Sequence, residues 1–352
     1  MKSHHRSTHQ RGFTLVELLV SIVITLFVVA AAGYVYVNTR DTQRAIETSS
    51  ASAEAGSYAM QLIGRDLLNA GAYPSIMPPV TANFPTRRQF DNYPPIVGIP
   101  ARDTDWIVPK PAYGAPIFGC EGANFDPVSG TCGPTVAGAP DSLVINYFTS
   151  DTVQGNSGQR LDCTGANVDA DASNAKRKLN TGGTPPTASD PNLPPQLPLF
   201  GSNRYVLTAA VTTIVDGFER KTRSLACAGN GAKDPTAFAP ILSGIEDMQL
   251  TYGVYGSDTS RAPDQYYSAD KVEGTGTKVI DGIALSPWAR VVSVRVCLMT
   301  RTLISAKIAD ATGKRQYVDC AGNTVTQAAN DVSLYRRYEE VFSLRNRMNQ
   351  TF

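Results

Sequence analysis

An uncharged stretch near the N terminus, residues 18–37, constrains this chain more than any other feature. At ~1.5 Å of rise per residue, a helix of this length spans roughly 30 Å, which matches the hydrocarbon core of a bilayer. The residues before it include Lys2, Arg6 and Arg11, and residues 1–12 contain no acidic side chain. This charge bias keeps the N-terminal end in the cytoplasm. We therefore expect one transmembrane helix, with the rest of the chain on the other side of the membrane.

Glu17 stands at the beginning of this apolar stretch. A secretory signal would have a shorter apolar core followed by a small-residue cleavage site, whereas this stretch is longer and continues into more helix. An ionisable side chain at such a position is costly and is therefore a functional candidate. The alternative is a glutamate that only reaches towards the membrane interface.

The segment Gly12-Phe13-Thr14-Leu15-Val16-Glu17 resembles the processing site of type IV pilins and type II secretion pseudopilins. The resemblance implies a prepilin peptidase that cuts after Gly12 and methylates the new N terminus at Phe13. It also implies that Glu17 pairs with the N-terminal amine of a neighbouring subunit and sets the register of assembly. A carboxylate in a low-dielectric medium needs such a cation nearby.

The helical pattern continues beyond the apolar stretch, because no proline occurs between Phe13 and Tyr73. We expect a membrane half over residues 13–37 and an amphipathic half over 38–72, after a cytoplasmic leader of residues 1–12. The whole helix is predicted from about Thr14 to Ala70, before Gly71 and Pro74. Small residues crowd positions 49–57, which favours close approach of another backbone or else gives a weak helix. Gly33 is the candidate weak point of the membrane half.

The remaining chain divides into a proline-rich segment and a β-rich head. Residues 73–140 include thirteen prolines between Pro74 and Pro140 and predict irregular structure wrapped on the head, with short strands near Ile96 and Ile107. The alternative for this segment is an aromatic peptide-binding groove. Residues 141–352 form the expected head, with a long surface insertion at about 155–198. Predicted strands are 142–149, 205–215, 222–227, 245–255, 290–300 and 340–344. The fold class is α+β: a long N-terminal transmembrane and amphipathic helix packed on one disulfide-containing antiparallel sheet, as in type IV pilins.

Several head segments, taken in order, are similar to minor pilins of the PilW family. They are residues 141–147, 225–229, 244–254, 288–296 and 342–347. The resemblance implies a subunit that primes type IV pilus assembly at or near the tip. Its partners would be the major pilin, minor pilins of the FimU, PilV, PilX and PilE types, and a PilY-type tip adhesin. Many relatives have an Asp-rich loop after the segment equivalent to 252–254, but Asp258 and Asp264 are too sparse here for a calcium loop.

Six cysteines lie on the exported side of the predicted membrane helix, where an even number indicates disulfides. They are Cys120, Cys132, Cys163, Cys227, Cys297 and Cys320. Fifteen pairings are possible. Sequence proximity and loop position favour joining Cys120 to Cys132, Cys163 to Cys227, and Cys297 to Cys320. No Cys-x-x-Cys spacing occurs, which argues against zinc-ribbon and thioredoxin-like sites.

The sequence gives little support for catalysis, a cofactor or a metal. All three histidines, His4, His5 and His9, lie in the leader, so cleavage after Gly12 would remove every histidine. With a net charge of +1, the chain lacks the basic excess of a nucleic-acid binder. We expect no enzyme and no nucleic-acid partner, but an inner-membrane subunit with a periplasmic head that moves to the pilus tip. Two alternatives remain, a type II secretion minor pseudopilin and a pilin-anchored surface adhesin.

Overall fold

The computed structural model describes residues 14–72, 111–149, 161–166, 168, 199–215, 218–232, 234, 236–257, 260–280, 283–302, 315–327, 331 and 333–348. The leader, Gly12, Phe13, the predicted strands near Ile96 and Ile107, and most of the 155–198 insertion lie outside these residues. The fold described below is therefore that of the long helix and most of the head.

A single helix, α1, runs from Leu15 to Asn69. Thr14 caps its N terminus, and no proline interrupts it. It ends before Gly71, whose φ of 67° turns the chain into the left-handed region that favours glycine. The helix is continuous through Gly33, so the candidate weak point does not break it.

Within the described residues, the head adds two short α-helices and seventeen strands. The helices are α2 (Ala269–Glu273) and α3 (Arg345–Met348). The strands are β1 (Ile117–Cys120), β2 (Phe125–Asp126), β3 (Thr131–Cys132), β4 (Ser142–Thr149), β5 (Leu199–Leu207), β6 (Val211–Val215), β7 (Phe218–Thr222), β8 (Ser224–Gly229), β9 (Ala239–Ser243), β10 (Ile245–Val254), β11 (Gln265–Tyr267), β12 (Lys278–Ile280), β13 (Ile283–Leu285), β14 (Val291–Arg301), β15 (Gln316–Val318), β16 (Thr324–Thr326) and β17 (Tyr335–Ser343).

The strands form two main antiparallel sheets, and this corrects the prediction of one sheet. A five-stranded sheet has the order β1-β4-β5-β8-β9, and a four-stranded sheet has the order β11-β10-β14-β17. Two-stranded ribbons join β2 to β3, β6 to β7, β12 to β13, and β15 to β16. The α+β class is confirmed, but α1 packs across two sheets rather than on one.

Two predicted strand boundaries were wrong for a common reason, which is the choice of pairing partner. The segment 205–215 is not one strand, because β5 pairs with β8 while β6 leaves to pair with β7. The last strand begins at Tyr335 rather than residue 340, because β17 pairs with β14 along its whole length. Charged residues at positions 336, 337, 339 and 340 conceal this strand in the sequence.

The proline-rich segment and the insertion also contribute to the core, more than a wrapped or surface segment would. Within residues 111–140, β1 is an edge strand of the five-stranded sheet and all four of its residues are buried. Within the insertion, Asp162, Cys163 and Val168 are buried. Both segments are held by long-range contacts that their local composition does not reveal.

The core lies where α1 meets the two sheets. Ala59, Ile63, Leu67 and Ala70 have no exposed surface, and their spacing places them on one side of the helix. They belong to a single apolar cluster with residues of both sheets, including Leu143 and Val294. This cluster fixes the C-terminal part of α1 to the head.

Candidate assembly site on the N-terminal helix

The first turn of α1 is closed by a reciprocal capping box between Thr14 and Glu17. The Thr14 side chain accepts a hydrogen bond from the Glu17 backbone N–H at 3.3 Å. Glu17 Oε2 accepts from the Thr14 backbone N–H and from Thr14 Oγ1, each at 3.0 Å. The carboxylate is therefore held at the N-terminal end of the helix, where it also favourably meets the positive end of the helix dipole.

The sequence predicts Glu17 for this site, and the capping role of Thr14 is an addition from the structure. The signal was present, since a threonine followed three residues later by a glutamate before an apolar stretch is the capping-box pattern. The structure places both side chains on the exposed helix end. Gly12 and Phe13, the other two residues predicted for this site, lie outside the described residues.

The first half of α1 presents apolar side chains on all sides. Leu15, Phe27 and Val35 are each more than 60% exposed, as expected for side chains that require lipid or neighbouring helices. Within the described residues, α1 is the one helix long and apolar enough to span a membrane. Tyr36 lies near the C-terminal end of this apolar half, and the guanidinium of Arg40 lies 5.7 Å from the centre of the Tyr36 ring. Tyrosine and arginine at this position suit the membrane–water interface.

The second half of α1 meets the head through its small residues. Ser52 Oγ donates to Thr300 Oγ1 on β14 at 3.0 Å in a buried contact. Gly56 and Gly64 leave room for two aromatic rings of β17: a Cβ built on Gly56 would lie 2.2 Å from Tyr338, and one on Gly64 would lie 2.4 Å from Phe342. The small residues at 49–57 predicted close approach of another backbone, whereas at Gly56 the structure places a side chain of the protein's own head.

A buried carboxylate adds a polar link between α1 and the five-stranded sheet. Asp66 Oδ2 accepts hydrogen bonds from Asn203 Nδ2 and Tyr205 Oη, each at 2.6 Å. Burial, and next the charge of Asp66, raise the pKa of Tyr205 well above its ordinary value, so the phenol remains a donor. This link holds the orientation of the helix on the sheet.

The six cysteines form three disulfides, Cys120–Cys132, Cys163–Cys227 and Cys297–Cys320. These are the pairs that sequence proximity favours. The second disulfide joins the 161–166 segment to β8 across the edge of the core, and the third joins the β15–β16 ribbon to β14. All three lie in the head, away from Glu17.

Acidic side chains in the described part of the chain do not gather into a metal site. No group of three or more His, Cys, Asp or Glu side chains there could hold a metal ion. Asp264 belongs to the described residues and Asp258 does not. Asp247 Oδ1 accepts hydrogen bonds from Met248 N and Gln249 Nε2, each at 2.9 Å.

Comparison with known proteins finds similarity to two family models and to a solved pilin-like structure. Residues 7–33 match the family model of the prokaryotic N-terminal methylation motif, and residues 204–346 match that of the type IV pilus-assembly protein W. A type IV-like pilin from Thermus thermophilus is similar over 84% of this chain and 97% of its own, with 9% identity and a TM-score of 0.33. No curated protein matches the chain.

The N-terminal methylation motif, the long apolar helix and the antiparallel sheets packed on its second half define a type IV pilin-like protein. The match over residues 204–346 then makes this part of the head similar to the PilW family of type IV pilus-assembly proteins. Proteins of this class are structural subunits, which associate with other pilins and are processed by a prepilin peptidase.

Proposed function

We propose that this protein is a minor pilin that primes type IV pilus assembly and remains at or near the pilus tip. The observation that carries the proposal is the combination of a methylation motif on an exposed apolar helix with a PilW-type head. Before assembly the helix lies in the inner membrane and the head in the periplasm. After assembly the same helix packs among the helices of neighbouring subunits.

Processing would occur after Gly12 and produce a methylated amine at Phe13. Glu17 would then pair with the N-terminal amine of a neighbouring subunit. The Thr14 cap supports this role, because it holds the carboxylate towards the N terminus through Oε2 alone in the described structure. The second oxygen can then accept a cation without loss of the cap. Such a pair forms only when the amine of one subunit meets Glu17 of another. It therefore stabilises the correct axial register of the assembled subunits.

The size of the head supports a position at the tip. The chain extends well beyond the helix, to residue 352, and its head carries several exposed two-stranded ribbons. A bulky head is easier to place at a fibre end than in a repeated, tightly packed shaft. The partners proposed for this position are minor pilins of the FimU, PilV, PilX and PilE types, a PilY-type adhesin, and the major pilin that adds next. The role is assembly rather than catalysis.

Deletion of the gene in its host tests the assembly role. Surface pili and twitching are scored beside secretion of exoproteins in the same strain. We expect loss of pili with intact secretion. Intact pili with lost secretion would identify a type II secretion pseudopilin instead. Pili that are present but no longer bind surfaces would identify an adhesin that only shares the anchor.

The Glu17→Ala variant tests the proposed pairing. It should insert into the membrane and be cleaved, as seen by mass spectrometry of the mature N terminus, yet fail to appear in sheared pili. Glu17→Gln removes the negative charge but keeps an amide oxygen that can accept a hydrogen bond from Thr14. This variant therefore tests the charge separately from the helix cap. Glu47→Ala, on the polar half of the same helix, is the matched control and should be incorporated normally. Normal incorporation of the Glu17→Ala protein would remove the proposed role of this residue.

A further inference from the structure

The β6–β7 ribbon continues a strand pair of the five-stranded sheet beyond the end of that sheet. The last pair formed by β5 and β8 is Leu207 with Leu225. The first pair of the ribbon is Val211 with Thr222, on the same two segments of the chain. These segments therefore remain side by side, and β6 carries the chain out of the sheet in the direction in which β5 runs.

This direction leads towards the apolar half of α1. In the sheet, β5 contacts the helix at Asp66. In the ribbon, Lys221 O accepts a hydrogen bond from Arg301 Nη1 at 3.1 Å. The residue before Arg301 on β14 is Thr300, which contacts Ser52 of the helix. From the sheet to the ribbon, the contacts thus move along α1 from Asp66 back to the level of Ser52.

The turn of the ribbon comes close to the membrane surface by the same geometry. From Ser52 to Val37, the end of the apolar stretch, the helix rises roughly 22 Å. From Lys221 to the last pair of the ribbon, Val215 with Phe218, the strands extend about 10 Å. The turn is therefore roughly 12 Å from the hydrocarbon core, and about 5–7 Å of this distance is headgroup layer. A helix tilt of about 20°, the average for membrane helices, can bring one side of the head several ångströms closer.

The ribbon carries apolar side chains that the head leaves exposed. Ile214 is 75% exposed, as much as Leu15 on the membrane half of α1, and Val211 is 58% exposed. Positions three apart on a strand lie on opposite faces, so the head covers neither face of the ribbon at these two positions. Lys221 is exposed on the partner strand. A lysine can place its ammonium among lipid phosphates while its methylene groups remain in the apolar layer.

The charge of the ribbon is nearly balanced, because residues 211–223 contain three basic and two acidic side chains. Burial of apolar surface, rather than attraction to anionic lipid, therefore selects the partner. We propose that the β6–β7 ribbon inserts into the headgroup layer of the membrane that anchors α1. This inference rests on the membrane anchoring in the proposed function and adds a second membrane contact. The contact holds the head against the bilayer before assembly, and it must break when the subunit enters a fibre.

The contact can be measured on the full chain in phosphatidylcholine vesicles. Ile214→Cys provides a thiol for the environment-sensitive fluorophore NBD, because the six native cysteines form disulfides. Ile214 is exposed, so the substitution should not disturb folding. Lipids that carry a nitroxide on the headgroup should quench this label, and its emission should lie at shorter wavelength than in water.

Val279→Cys is the matched control. Val279 is 68% exposed, and its neighbour Lys278 lies beside Gly256, past the end of β10 farthest from Thr300. Quenching at position 214 should exceed quenching at position 279 at least roughly twofold, because only the first label reaches the headgroup layer. Equal quenching at the two positions would overturn the proposal, whether both labels are in water or the whole head lies on the bilayer.

Val211→Asp locates the contact on the ribbon. Added to the labelled Ile214→Cys chain, it should reduce quenching to the level seen at position 279, because a carboxylate is costly in the apolar layer. Val279→Asp in the same labelled chain should have no effect. Unchanged quenching in the Val211→Asp chain would refute the contact. Flotation with the vesicles reports on α1 separately: a chain that floats with a solvated label at position 214 disproves only the ribbon contact, whereas a chain that does not float disproves the anchoring as well.

Discussion

Asp66 shows at the scale of one residue how the helix is fixed on the head. Its side chain is buried, and its two donors, Asn203 and Tyr205, come from the middle of β5. A buried donor that loses its acceptor pays the full cost of its desolvation. The Asp66 carboxylate therefore stabilises the fold by satisfying two buried donors, in addition to any effect of its charge.

Replacing Asp66 by alanine should lower the free energy of unfolding by about 2–4 kcal/mol, because two buried donors lose their acceptor. The adjacent Arg65→Ala change is the matched control. The Arg65 side chain is 66% exposed and its Nε lies 3.7 Å from Asp66 Oδ1, so solvent screens this long pair and the expected loss is within about 0.5 kcal/mol. Urea unfolding of the detergent-solubilised chain measures both. Equal effects of the two substitutions would contradict this account.

Asp141 is a second buried carboxylate and gives a pH-dependent prediction. Its Oδ1 accepts from Gly122 N and its Oδ2 from Leu250 N, each at 2.7 Å, so it joins the two main sheets. Burial raises its pKa to about 7, and the negative charges of Glu121 and Asp247 act in the same direction against the two backbone donors. Burial also raises the pKa of Glu121 and of Asp247.

The folded state therefore binds more protons than the unfolded state between the ordinary carboxyl pKa of about 4 and pH 7. Stability from this group is complete below that window and is lost as the pH rises through it. We expect the free energy of unfolding to fall by about 2 kcal/mol between pH 5 and pH 7, measured by urea titration at constant ionic strength. The Asp141→Asn protein should show a shallower dependence. A wild-type stability that rises over this interval would be inconsistent with a buried, proton-binding Asp141.

At the scale of elements, the contact between α1 and β17 depends on the absence of two side chains. Gly56 and Gly64 on the helix face Tyr338 and Phe342 on the strand, and Tyr338 Oη also donates to Ala53 O at 3.4 Å. Glycine is a poor helix former, by about 1 kcal/mol relative to alanine. Its presence at these two positions is explained by the rings that occupy the space.

Gly56→Ala should therefore destabilise the chain despite the better helix propensity of alanine, because the new methyl group displaces the Tyr338 ring. The expected loss is about 1–3 kcal/mol, which is typical of an overpacked core. Gly33→Ala is the control, since a methyl group there would meet nothing within 4 Å. That change should be neutral or stabilising. Thermal unfolding compares the two proteins, and a stable Gly56→Ala variant would show that the strand moves away at little cost.

At the scale of the whole molecule, the disulfides close loops of different length. The sequence separations are 12 for Cys120–Cys132, 23 for Cys297–Cys320 and 64 for Cys163–Cys227. In the chain-entropy model a longer closed loop gives a larger restriction of the unfolded state. The Cys163–Cys227 bond also fixes residues 161–166 to β8, beside the hydrogen bond from Cys163 N to Asn203 Oδ1.

Replacing both cysteines of a pair by alanine should lower stability by about 4 kcal/mol for Cys163–Cys227 and by about 3 kcal/mol for each of the other two pairs. Guanidinium unfolding of the oxidised proteins measures the order of these three stability losses. Non-reducing peptide mapping checks that the remaining pairs are intact. The reverse order, with the shortest loop most important, would mean that local packing rather than loop closure dominates.

The sequence by itself determined the features that depend on neighbouring residues. The apolar stretch defined the membrane anchor, the absence of proline defined a helix close to Leu15–Asn69, and alternating β-branched residues located β4, β10 and β14. The signal of the Thr14–Glu17 cap was also present in the sequence, because it spans only four residues. Local spacing sets these elements, since helix and strand periods are properties of the chain segment itself.

Only the tertiary structure decided how those elements are combined. The division into two sheets, the recruitment of β1 from the proline-rich segment and the pairing of Asp66 with Tyr205 join residues far apart in the sequence. Such choices follow from which partners bury the most apolar surface and satisfy the most polar groups. That comparison involves the whole chain, and no local pattern contains it.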